Sequence, residues 1–317
     1  MLLHQMLVIR RFILLYNSVD LSITECSTLC CLMQVLVVDN HHSQLVTCGT
    51  IFQGTCQSRD LANISRIKVD VVTAHNYQFV ASRLPTHAVV AIVAPGPSNS
   101  VRLYVGTDDQ PSRNLYDARG YTCGVTRRYL NTPKIFQILP PTVDELASFA
   151  RLSEEAATSP DFLVQYVSGF SVENFTYFLT TQPAVYPAVS ATQRVSKLSQ
   201  VCHDDELFDS YVEMRINCRS SQKDYNLVRA ATVLRPGTRL AGSMNLPANE
   251  HLLVAVFYGA PDSAVCVYRL SDIRRKFTEN IASCYGSSSL LVGRQFHNGN
   301  RKCTPDDQVG KTASNLS

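Results

Sequence analysis

The chain of 317 residues has no tryptophan, no Cys-x-x-Cys pair, no Gly-x-Ser-x-Gly and no basic run interleaved with aromatics. Without Cys-x-x-Cys, thioredoxin chemistry and most structural zinc sites lose their usual signature. Without the serine elbow, and with no histidine near a serine or cysteine in a recognisable setting, no hydrolase nucleophile is indicated. A formal charge of +3, from 29 Lys and Arg against 26 Asp and Glu, is too mild to imply nucleic acid. Val309-Gly310-Lys311-Thr312 has the ending of a phosphate-binding loop, but Pro305 stands where its first glycine belongs. The apolar start MLLHQMLVIRRFILLY is split by Arg10 and Arg11, short of the ~20 uncharged residues that a membrane helix needs. Nor does it have the order of charge, apolar run and cleavage site of a signal peptide. Cys202-His203-Asp204-Asp205 gathers metal-ligand types, but neighbours on an extended chain point to opposite faces, so a solvated turn is expected there. His41-His42 reads as an exposed turn. No catalytic residue, metal, cofactor or small-molecule substrate is expected.

What the chain does have is strand formers. At 45% hydrophobic it can bury a sizeable core, and 14 tyrosines and 13 phenylalanines carry the aromatic packing. Short apolar segments recur between Gly, Pro, Asn and Asp: Val35–Val38, Leu45–Thr47, Val69–Thr73, Ala88–Val93, Val101–Val105, Phe162–Phe170, Phe175–Thr181, Tyr211–Met214, Leu227–Leu234, Leu252–Phe257 and Ala264–Tyr268. Such spacing predicts an all-β sandwich, barrel or propeller. In the hairpin YVSGFSVENFTYFLTTQP, Phe175, Tyr177 and Leu179 alternate with Thr176, Phe178 and Thr180. Two helices are predicted. One is Thr142–Ala150, with Thr142 and Glu145 as a capping box; the other is Ser271–Ile281, with Ile273, Phe277 and Ile281 in one stripe.

The eleven cysteines suit either a reduced cytosolic chain or an oxidised secreted one. Cys48 and Cys56 flank a segment of the length that a disulfide closes into a hairpin, and N-glycosylation acceptors occur at Asn63, Asn174 and Asn315. Together these favour the secretory pathway.

Several stretches in order resemble the sema domain of the plexin family. They are QVLVVDNHHSQLVTCGTIFQGTCQSRDLANIS, VRLYVGTDD, LVQYVSGFSVENFTYFLTTQ, RVSKLSQVCHDDELFDSYVEMRINC, YNLVRAATVLRPG and SAVCVYRLSDIRRKFTENIASCY. Semaphorins share the fold and a piece like the last; the YFLT strand and the ending ENIASCY favour plexin. The resemblance implies a propeller of four-stranded antiparallel sheets, here an incomplete one of about four to five blades with two short inserted helices. It would span 34–303, between a divergent segment 1–33 and a tail 304–317, as an open arc with exposed edges.

The resemblance implies the ligand-binding part of a cell-surface semaphorin receptor, at the extracellular face of the plasma membrane in the full-length protein. Its partners would be a semaphorin and a co-receptor or a second receptor. It also implies disulfides Cys48–Cys56 and Cys218–Cys284, with Cys202 unpaired or joined to Cys303 and Cys266 a buried thiol. The irregular stretch 108–141, with Asp108, Asp109, Arg127 and Arg128, is the expected ligand contact. A semaphorin-like secreted ligand or decoy and an intracellular β-rich enzyme with reduced cysteines stand as the alternatives.

Overall fold

The computed structural model describes residues 32–50, 54–71, 79–82, 85–108, 124–138, 150–152, 162–184 and 194–286, apart from 207, 209 and 248. Four antiparallel sheets follow one another along the chain. The first is β1 (Met33–Asp39), β2 (Gln44–Gly49), β3 (Cys56–Asp60) and β4 (Ile67–Asp70), side by side in that order. The second is β5 (Val89–Gly96), β6 (Ser100–Thr107), β7 (Gly124–Tyr129) and β8 (Ala150–Arg151). The third is β9 (Gln165–Val172), β10 (Phe175–Pro183), β11 (Arg194–Cys202) and β12 (Val212–Arg215). After a small ribbon of β13 (Cys218–Arg219) and β14 (Asp224–Tyr225) comes the fourth, β15 (Leu227–Leu234), β16 (Leu252–Gly259) and β17 (Asp262–Arg269). Two helices, α1 (Thr238–Ser243) and α2 (Leu270–Gly286), belong to this last unit.

Each sheet is a meander, in which every strand pairs with the strand before it. Tight turns make this cheap, since antiparallel neighbours need only a few linking residues. The first strands of successive sheets meet, β1 with β5, β5 with β9 and β9 with β15, like staves around an axis. This is the geometry of propeller blades, in the all-β class that the sequence predicts.

Strand alternation fills the gaps between blades. On β6, Leu103 points into a core shared with the first sheet, while Tyr104 points into one shared with the third. On β10, Phe178 enters the core between the second and third sheets, and Phe175, Tyr177 and Leu179 enter the core between the third and fourth. All nine residues of β10 are buried, because sheets cover both of its faces. Three seams therefore hold four blades. Close approaches tighten them: a Cβ on Gly169 would sit 2.4 Å from Ile92 Cδ1, and one on Gly106 would sit 2.3 Å from the Tyr166 ring. The two end sheets show open apolar faces among the described residues, with Leu36 and Val38 exposed on the first and Val265 and Val267 on the fourth.

Helix α2 starts directly from β17. Ser271 donates from its backbone N–H and its hydroxyl to the Glu250 carboxylate, at 3.3 and 2.5 Å, which satisfies donors the helix start would otherwise leave orphaned. Leu270, Ile273 and Phe277 bury against the third seam. Arg274 pairs with Glu173 in the β9–β10 turn and reaches the Tyr177 hydroxyl at 3.5 Å, which pins the helix to that hairpin. The stripe read from the sequence is thus the packed face, and the helix runs five residues beyond the predicted end.

Several expectations are corrected here. Strand Val69–Thr73 is instead Ile67–Asp70, set by pairing with β3. Strands β3, β7 and β11 were not predicted, because CQSRD, GVTRRY and RVSKLSQVC are too polar to read as strands, although most of their residues are buried. Helix Thr142–Ala150 lies outside the described residues save Ala150, which is in strand β8.

Cys218 bonds to Cys266 rather than to Cys284. Alternation along β17 puts Cys266 and Tyr268 on the face toward 217–218, where the Tyr268 hydroxyl donates to the Asn217 carbonyl at 2.9 Å and the Cys218 and Cys266 Cα atoms stand 5.7 Å apart. Cys266 is therefore bridged and not a thiol. Cys202 is a free, half-buried thiol whose pKa burial pushes up, and Cys303 lies outside the described residues. Cys48 and Cys56 face each other directly across β2 and β3 and are joined.

Candidate functional site

Of the four residues expected at a ligand surface, the three that are described are buried. Arg127 and Arg128 are fully buried, Asp108 is 5% exposed, and Asp109 lies outside the described residues. The stretch 108–141 is not one irregular loop, since it contains β7, and the two arginines are neighbours on that strand, pointing to opposite seams. A pair of arginines in a polar sequence reads as solvent-facing; only the blades on either side bury it.

Arg127 reaches across the second seam to the turn after β11. Its guanidinium donates to the carbonyls of Asp205 at 2.6 Å and His203 at 3.4 Å, and lies 5.0 Å over the Phe208 ring and 5.7 Å from the Tyr104 ring. A charged donor on buried carbonyls is among the stronger kinds of hydrogen bond. Arg128 points the other way, donating to Thr126 Oγ1 at 3.1 Å and the Phe136 carbonyl at 3.0 Å. Burial in that apolar seam pulls its pKa down to about 9. Asp108 meets His87, with carboxylate oxygen and Nδ1 3.1 Å apart. Arg127 thus fastens the second sheet to the third, while Arg128, His87 and Asp108 are tied within the second sheet's own segment.

The turn Cys202–Asp205 is likewise not the solvated one expected. His203 is 4% exposed, and its Nε2 lies 3.1 Å from Thr176 Oγ1 and 3.2 Å from Ser171 Oγ. Burial drives its pKa down to about 4, against the pull of Asp204, so the ring is neutral, with Nε2 within hydrogen-bond reach of both hydroxyls. Asp205 Oδ2 takes the Ser210 N–H at 2.7 Å and its hydroxyl at 2.5 Å. At the first hairpin His41 is exposed, while His42 Nδ1 lies 2.6 Å from buried Asp39. Burial alone would raise the Asp39 pKa, but hydrogen bonds from Gln44 and His42 outweigh it and hold it below the usual carboxylate value.

What remains accessible is turns, edges and end faces. Asn63 and Asn174 are both exposed, in the β3–β4 and β9–β10 turns, while Asn315 lies outside the described residues. A cleft of about 430 Å³ runs between β9 and the end of β15, lined by Ser168, Ser171, Thr232, Arg235 and His251. Arg235 Nε donates to His251 Nε2 there at 3.0 Å. Among the described residues no three potential metal ligands converge, and no helix is long and apolar enough to cross a membrane.

Consecutive meandering sheets around an axis, with a helix pinned after the third strand of one, define a sema-type propeller. A model of the Sema domain matches residues 228–316. Plexin-A4 of Danio rerio is 29% identical over 283 residues, covering 81% of this chain and 14% of that protein. Plexin-A4 of Homo sapiens is 28% identical over 276 residues and Plexin-A2 of Mus musculus 25% over 275, with the same coverage. Among solved structures, the full extracellular region of Plexin A4 superposes with a TM-score of 0.69 at 24% identity, over 87% of this chain and 32% of that one. Drosophila Semaphorin 2a follows with 0.51 at 14% identity, over 84% and 41%. The chain is therefore similar to plexins over 81% of its length and shares the fold of their sema region. It spans about a seventh of the length of the plexins it matches.

Proposed function

We propose that this chain is the ligand-facing part of a plexin-like cell-surface receptor for semaphorins, displayed on the extracellular side of the membrane. The observation that carries the reading is the plexin likeness over 81% of the chain. Residues 34–303 would be the sema blades, with 1–33 and 304–317 flanking them. The two disulfides among the described residues support an oxidising compartment. The role is one of binding, with no chemistry assigned to any residue. Contact with the ligand falls to exposed turns and end faces, since the arginines of β7 are occupied in the seams.

The test is display of the chain on cells, tethered at the outer leaflet, against a panel of fluorescent semaphorin ectodomains. Saturable binding of at least one is expected. A displayed chain with intact Cys48–Cys56 and Cys218–Cys266 that binds none of them overturns the reading. Binding to plexin ectodomains instead would mark a semaphorin-like ligand.

A further inference from the structure

The two exposed acceptor asparagines differ in the residue that a glycosylating enzyme must also read. N-glycosylation requires a hydroxyl two residues after the asparagine. At Asn63 that hydroxyl belongs to Ser65, and the whole turn 62–66 is exposed. The local ties are small: Asn63 Oδ1 accepts the Ser65 N–H at 3.1 Å, and its carbonyl accepts the Arg66 N–H at 2.9 Å. At Asn174 the hydroxyl belongs to Thr176, which is fully buried and stands 3.1 Å from His203 Nε2. The intervening Phe175 is 7% exposed and packs in the third seam. Both residues are paired on both sides, Phe175 with Val172 and Cys202, Thr176 with Ser171 and Val201. The Asn174 carbonyl also accepts the His203 N–H at 2.9 Å.

We propose that Asn174 is a fold-gated glycosylation acceptor, modified only before the third sheet forms, whereas Asn63 is an acceptor in the folded chain as well. The carboxamide nitrogen forms a bond to the anomeric carbon of a lipid-pyrophosphate-linked oligosaccharide. The lipid pyrophosphate leaves, and one amide proton is lost to a base. To present Thr176 after folding, the start of β10 would have to leave both neighbouring strands and pull Phe175 from the core. Such openings are rare in the centre of a sheet. Once attached, the sugar is compatible with the fold, because the Asn174 side chain points to solvent. Occupancy of Asn174 therefore records a folding order, with the transferase acting ahead of the pairing of β9, β10 and β11.

The proposal rests on the secretory reading only for its occurrence in cells, and the assay needs no secretion. Unglycosylated full chain is oxidatively refolded, with Cys48–Cys56 and Cys218–Cys266 verified by peptide mapping. It is then incubated with purified oligosaccharyltransferase and lipid-linked oligosaccharide, beside a reduced and alkylated sample. Glycopeptide mass spectrometry reads each site, and Asn174→Gln confirms the assignment. In the unfolded sample both sites are modified. In the folded sample Asn63 is modified and Asn174 occupancy falls at least about tenfold. Equal modification of Asn174 in both samples overturns the gate, no modification of Asn174 in the unfolded chain overturns it as an acceptor, and an unmodified Asn63 in the folded chain overturns the contrast. Failure to bind semaphorins would leave all of these outcomes readable.

Discussion

Acidification should unlock the turn that ties the second sheet to the third. His203 is 4% exposed and its pKa is held at about 4, against 6.5 for an unhindered imidazole. The unfolded chain therefore takes up a proton at a pH where the folded chain refuses it. A depressed imidazole pKa gives stability that is complete above about pH 6.5 and is lost as pH falls toward 4. About 2.5 pH units at ~1.36 kcal/mol each amounts to roughly 3 kcal/mol at the acid end. That is a large fraction of a typical domain's 5–15 kcal/mol, roughly speaking. The assay is urea unfolding of the wild type and of His203→Gln at several pH values from about 7 to 4.5. The variant removes this titration and leaves every other one in place, so the difference between the two pH profiles isolates His203. The wild type should lose stability more steeply than the variant through this window. Parallel profiles, or an NMR titration placing His203 near 6.5, would refute the reasoning.

Three further outcomes follow from the seams and the cross-links. Arg127→Met should cost about 3 kcal/mol, because it leaves the buried carbonyls of Asp205 and His203 without their charged donor; thermal unfolding measures it. Phe178→Ala should cost about 3–5 kcal/mol by opening a cavity in the second seam, read as a shifted urea midpoint at an unchanged slope. Replacing Cys218 and Cys266 together by alanine frees a loop of 48 residues and should cost ~4 kcal/mol on the chain-entropy model. Peptide mapping under non-reducing conditions tests the pairing itself, and a Cys218–Cys284 peptide would contradict it.

The face of each blade that a side chain serves was only half legible. In β10 the alternation of Phe175, Tyr177 and Leu179 with Thr176, Phe178 and Thr180 was plain from the sequence. That both sets are core was not, because periodicity separates two faces without saying what lies against either. The polar strand GVTRRY shows the limit most clearly. Arg127 is a core residue because the neighbouring blade brings two carbonyls and the Phe208 ring to it, and that supply is invisible along the chain. The expectation of a surface at 108–141 met the same limit: it took a stretch without an apolar strand signal for an irregular loop, and β7 lies within it.

Legible along the chain alone were most of the apolar strands, the hairpin at 166–183, the apolar stripe of the helix after β17 and the closing of Cys48 onto Cys56. All are local, resting on turn residues, period-two or period-four patterns and short loops. Packing of the sheets on one another sets the meeting of Cys218 with Cys266, the fastening of the second seam by Arg127, and the locking of His203 to Thr176 while Asn174 beside them stays in solvent. These are distances between segments far apart in the chain, set when stacked sheets exclude water from both faces of a strand.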